Sequence, residues 1–288
     1  MKIVECQPLI QPCLEQFALK MQRDLKAEVI LLGKAATAVG GKRSAVFQIC
    51  GADEFDYAAT TKGEAVYGTR GAAVLLYPFA IKSKNEFEEV LYHELGHILS
   101  FRDNHELVMT LNKVKSAKEE HGDACMGSKL WLEFVAQAIS NSVAAREPQS
   151  VTHVKQYELL EELSIGLPGI SNKIEKGTEL LIQNGIKVVP YNMAHYFALL
   201  LTDPTIEAMV RNKLECSYGF DLCSDEVAAC LDEIAVFLQE QLQKERYWVV
   251  SEGFLAELAT MIYEIWEIRT LEDMKHQKIS DRLVVGIL

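Results

Sequence analysis

The sequence predicts an α+β fold, with a small β-sheet in the N-terminal third and a mostly helical remainder. Three observations carry this expectation. Short apolar runs separated by glycine-rich turns occupy much of the stretch from Glu28 to Ala80, a strand rhythm. A capped segment of 3.6-residue periodicity follows from Ser83. Beyond it, helical periodicity recurs to the C-terminus with almost no strand signal.

Taken in order, residues Leu14 to Leu25 read as an amphipathic helix. Val29-Ile30-Leu31-Leu32 and Ala45-Val46-Phe47-Gln48-Ile49 read as strands around a Gly40-Gly41-Lys42 turn. Two more strands, Glu64 to Tyr67 and Ala72 to Ala80, flank Gly68-Thr69-Arg70-Gly71. Ser83-Lys84-Asn85-Glu86 has the S-x-x-E form of a capping box, so a helix should start there. Its apolar stripe runs through Val90, Leu91, Leu95, Ile98 and Phe101. Further helices are expected at 104–119, 128–145, 152–164, 171–184, 191–202, 204–214, 224–244 and 252–274, with breaks at turn-forming stretches such as Gly166-Leu167-Pro168-Gly169. A boundary at 168/169 would divide the chain into residues 1–168 and a helical domain, 169–288.

The chemistry concentrates at His93-Glu94-Leu95-Gly96-His97. One helical turn separates the two histidines, so both imidazoles project from one face and can serve one tetrahedral Zn²⁺. Glu94 falls in the middle of the apolar stripe, among Val90, Leu91 and Ile98. A carboxylate there must be paired, ligated or protonated, and an apolar surround favours a general base. Gly96 and Ser100, small and adjacent to the histidines, leave room for another element to approach closely.

A catalytic zinc site needs a third protein ligand. Glu133 is the first candidate, on a helix from Ser128 to Ser140 whose remaining face holds Ala136, Gln137 and Ser140. Gln137, one turn on, can hydrogen-bond a ligand. Asp103, six residues after His97, is the alternative, although Asp103-Asn104-His105-Glu106 also reads as the cap of a following helix. His105 and His121 remain further options. An oxyanion donor is sought on the helix beginning Pro190-Tyr191-Asn192-Met193-Ala194-His195, where Tyr191 and His195 lie one turn apart.

At these residues the chain resembles the gluzincin class of zinc metallopeptidases, and more narrowly the ImmA/IrrE family. Tyr92-His93-Glu94-Leu95-Gly96-His97-Ile98-Leu99 and Glu133-Phe134-Val135-Ala136 carry the resemblance, which covers about a fifth of the chain. It implies a zincin-like unit and a cytoplasmic, narrow-specificity peptidase acting on a protein partner such as a regulator. It also implies an edge strand that pairs with substrate backbone, for which Ala72 to Ala80 is the candidate. The competing expectation is a non-catalytic, zinc-dependent binding or regulatory protein, which a fourth ligand such as Cys125 or His121 would favour.

Composition bounds the rest. At 288 residues and 49% hydrophobic, the chain can bury a substantial core. A net charge of -12 argues against nucleic acid or an anionic membrane as the main partner and mainly implies solubility; a protein or peptide substrate is what the peptidase resemblance implies. The N-terminus lacks the pattern of a signal peptide, and no run approaches the roughly 18 apolar residues of a membrane span, so a cytoplasmic location is expected. Seven cysteines with no CxxC pair read as free thiols.

Overall fold

A computed structural model describes residues 1–54, 61–107, 123–144, 193–194, 197–198, 201–202 and 225–265. It is a mixed α/β structure, mostly helical, with one three-stranded sheet among the described residues. The chain divides into two compact units. The first comprises Met1–Val108 and Val135–Glu147, the second Met109–Phe134 and Pro148–Leu288. The boundary read at 168/169 lies outside the described residues.

In the first unit, helix α1 spans Ile3–Met21, starting earlier than the sequence reading. Its buried stripe, Cys6, Ile10, Cys13, Phe17 and Met21, has helical spacing and carries the helix back through Pro8 and Pro12, which stand on the exposed side. Strand β1 is Glu28–Leu31. The next segment corrects the reading. Ala45–Ile49 is not a strand but part of helix α2, Gly40–Cys50. The reason is visible in the buried residues Arg43, Val46, Phe47 and Cys50, an i, i+3, i+4, i+7 set that seats one helical face on the sheet.

Strands β2 (Gly63–Tyr67) and β3 (Ala72–Leu76) form an antiparallel pair, and β1 joins β3 in parallel, giving the order β1-β3-β2. Thus Ala72 to Ala80 is not an edge strand. Its strand part is central, hydrogen-bonded on both sides, and the chain turns at Pro78–Ala80 into a short 3-10 helix. Among the described residues, the edge on that side of the sheet belongs to β2. Alternation divides β2 between two faces: Glu64 and Val66 point toward α2, and Gly63, Ala65 and Tyr67 toward the next helix. The α2 face buries Leu32, Val46, Phe47, Cys50, Val66, Ala73, Leu75 and Tyr77 together.

Helix α3, Lys84–Asp103, bears the HELGH motif. Ser83 caps it, its hydroxyl accepting from the Glu86 amide at 3.2 Å. Glu86 reaches one residue further back than a capping box requires, accepting from the Lys82 amide at 2.5 Å, and also pairs with Lys62 at 2.6 Å. Phe87, Leu91, Leu95, Ile98 and Leu99 are buried, and Tyr92 stacks on Phe17 of α1 with centroids 6.5 Å apart. Helix α4, Asp123–Val143, begins in the second unit and ends in the first. In the second unit, helix α5 (Asp225–Leu242) and a helix over residues 252–265 bury Ile234, Leu238, Leu255, Leu258 and Ile262, and Trp131 packs edge-on against Phe254. The helices read within 145–192 and 203–224, and the ends of those at 104–119 and 252–274, lie outside the described residues. No described helix is long and apolar enough to cross a membrane.

Cys6, Cys13, Cys50 and Cys230 are free and buried. Burial raises the pKa of the Cys6, Cys13 and Cys50 thiols, and does the same to the Tyr77 and Tyr92 hydroxyls, the first helped by its bond to Glu64 and the second by the neighbouring Cys13. These groups hold their protons in the folded state at pH values where the unfolded chain releases them, so stability falls as pH rises. Under reducing conditions the melting temperature should be flat from pH 7 to 8 and decline from about pH 9 upward. A flat melting curve to pH 10.5 would contradict this linkage.

Candidate metal centre

The two histidines project from α3 as its 3.6-residue repeat requires, with their rings 4.7 Å apart between centroids and steeply inclined at 85°. His93 Nε2 and His97 Nε2 face one another at 3.1 Å. Two nitrogens bound about 2.05 Å from one tetrahedral zinc would stand about 3.3 Å apart, so this separation fits shared ligation. The other nitrogen of His93, Nδ1, meets the Gln137 amide oxygen at 3.2 Å. Gln137 is held in that orientation by donating its NH₂ to Asn141 Oδ1 at 2.9 Å. With Nδ1 donating to Gln137, the neutral ring presents a lone pair on Nε2, the form a metal requires.

Glu133 stands on α4 one turn before Gln137. His93, His97 and Glu133 offer one ligand atom each, and the three atoms lie within 4.8 Å of one another. Among the described residues no other cluster of three His, Cys, Asp or Glu side chains comes together in this way. Two imidazoles and a carboxylate form a donor set suited to zinc, and three protein ligands leave a position for a small molecule. The residues present therefore fit a metal ion.

Gly96 explains how α4 comes so close. A Cβ there would stand 2.9 Å from Ala136 Cα and 3.1 Å from Ala136 O, so the helices touch backbone to backbone where the glycine meets the alanine. Ser140, one turn on from Ala136, adds a hydrogen bond from its hydroxyl to the Glu89 carbonyl of α3 at 3.0 Å. The small residues on both helices set the distance, and Gln137 sets the ring.

Glu94 is buried, 8% exposed, on the side of α3 that faces β2. Asp103 ends α3 and pairs with Arg102 at 3.3 Å, outside the His93–His97–Glu133 group. His105 packs against Tyr67, with ring centroids 6.0 Å apart. Phe101 lies between these aromatics and the site, stacked on His97 at 5.9 Å. Tyr191 and His195 lie outside the described residues, as do His121 and the side chain of Cys125. Sequence reasoning missed Asn141, although its i+4 spacing from Gln137 was a usable signal, and it missed Gly63, for which the sequence carries no signal.

No protein-family model matches the chain, and searches of curated proteins and of solved structures also find no match.

Proposed function

We propose that the protein is a zinc-dependent peptidase that hydrolyses a peptide bond in a specific intracellular protein partner. The observation that carries this reading is the convergence of His93, His97 and Glu133 beside a buried glutamate that directly follows His93. When bound, a zinc ion would supply Lewis acidity and a lowered pKa for water. His93 and His97 would hold the metal, Glu133 would complete the set, and the Gln137–Asn141 pair keeps the His93 ring in register. Glu94 takes the proton from the attacking water and delivers it to the departing amine.

The sheet supports a peptide as substrate. Strand β2 is the edge strand and, among the described residues, pairs with β3 alone. Among the described residues no strand pairs with its outer edge, which lies beside α3, where an extended peptide can add as a further strand. Resemblance to the ImmA/IrrE family supports a regulator as the partner, and this part of the reading rests on analogy.

The test begins with metal per chain in protein purified without added metal. About one zinc per chain is expected for wild type, with much less retained by Glu133→Ala. The zinc-loaded protein should then cleave a quenched-fluorescent peptide library, and lose that activity to a chelator. Failure of wild type to bind zinc, even when it is offered, would rule the reading out.

A further inference from the structure

Glycine 63 opens the edge strand β2 and lies over Glu94. A Cβ built on it would stand 2.8 Å from Glu94 Cγ, 2.9 Å from Glu94 Oε1 and 2.8 Å from Val90 Cγ1. Cβ atoms do not tolerate such distances, so any side chain at this position must displace something. The strand cannot yield cheaply. Lys62 O accepts from the Tyr77 amide at 2.9 Å, Gly63 is in register with Leu76, and Glu64 is tied to Arg43 and Tyr77. Nor can Val90 and Glu94 move with the helix, because α3 is fixed by its cap and by Gly96 against Ala136. The carboxylate end of Glu94 is the most adjustable element in the contact.

From this the geometry points to Gly63 as a positioning residue for Glu94: the bare backbone at the start of β2 forms the wall that fixes the carboxylate. The inference deepens the peptidase reading and rests on it for its functional part. It acts through packing alone, since Gly63 has no side chain to offer the substrate. Glycine is required there for space, because its backbone is in an ordinary strand. The same wall joins the substrate-binding edge to the base, so the strand on which a peptide would lie also sets where its proton acceptor stands.

The experiment uses the zinc-loaded full chain as wild type, Gly63→Ala, Glu94→Gln and the double variant. On a peptide cleaved by wild type, Gly63→Ala should keep its zinc and lose tenfold or more in kcat, with KM changed by less than about twofold. In the Glu94→Gln background the same substitution should change the residual rate by less than about twofold, because the group it acts through is already disabled. Val90→Ala added to Gly63→Ala should restore part of kcat by giving the new methyl group room. An equal loss of kcat in both backgrounds, or a rise in KM alone, would overturn the assignment. If wild type cleaves nothing, the peptidase reading fails, and the contact is judged from melting temperatures. Gly63→Ala should then lower the melting temperature by several degrees in wild type, and by at least about 2 °C less in a Glu94→Ala background. Equal shifts in the two backgrounds would overturn the contact itself.

Discussion

Glu94→Gln is expected to leave zinc bound and to lower kcat/KM for peptide cleavage by two to four orders of magnitude, or about 3–5 kcal/mol of transition-state stabilisation. The change is nearly isosteric, so the amide fills the same space beneath Gly63 and beside Val90. It removes only the ability to accept and return a proton. Glu133→Ala separates from this variant because it should lose metal first and activity as a consequence. Measured together, zinc content and kcat/KM distinguish the two roles: full zinc with no turnover marks the base, and low zinc with turnover recovered in excess zinc marks the ligand. A Glu94→Gln protein that cleaves at the wild-type rate would remove Glu94 from the chemistry and leave the site as a metal-binding one.

The helix bearing His93, Glu94 and His97 was legible because three local signals agree: a serine cap, a 3.6-residue stripe and the i, i+4 histidines. Glu133 and Gln137 were legible more indirectly. Their helix reads clearly, but the sequence does not state that it lies against α3; only the matched small residues Gly96 and Ala136 hint at that. Helix α2 was misread because Ala45–Ile49 is a short apolar run, and such runs satisfy strand and buried-helix templates alike. Arg43 decides the case, since including it yields the buried set Arg43, Val46, Phe47 and Cys50. A charged residue is discounted in a hydrophobic pattern unless its buried partner is known, and that partner, Glu64, lies 21 residues away. The order of the strands was hidden for a related reason. A parallel pairing of β1 with β3 that places β2 at the edge is a long-range choice, and no local residue encodes it.

The same buried pair carries the second large effect. Arg43 Nε donates to both oxygens of Glu64, at 2.8 and 3.1 Å, its Nη1 reaches Glu54 at 2.8 Å, and the Tyr77 hydroxyl donates to Glu64 at 2.7 Å. Glu64 is wholly buried and Arg43 is 5% exposed. Burial pulls the arginine's pKa down, but the bond to Glu64 and its charge outweigh that and the value is raised. Removing one partner leaves the other charge stranded, so Arg43→Met should cost about 3–5 kcal/mol in chemical denaturation. Adding Glu64→Gln removes the stranded charge and keeps an acceptor for Tyr77, so the double variant should be more stable than Arg43→Met alone. A double variant as unstable as the sum of the two single changes would show that the charges are not coupled. The pair matters to the site because Glu64 and Gly63 point to opposite faces of β2. A slip of one residue that put Glu64 over Glu94 would leave Ala65 facing Arg43. By holding Glu64 on the α2 face, Arg43 keeps the glycine over the base, and Arg43→Met should lower kcat at temperatures where the protein is still folded.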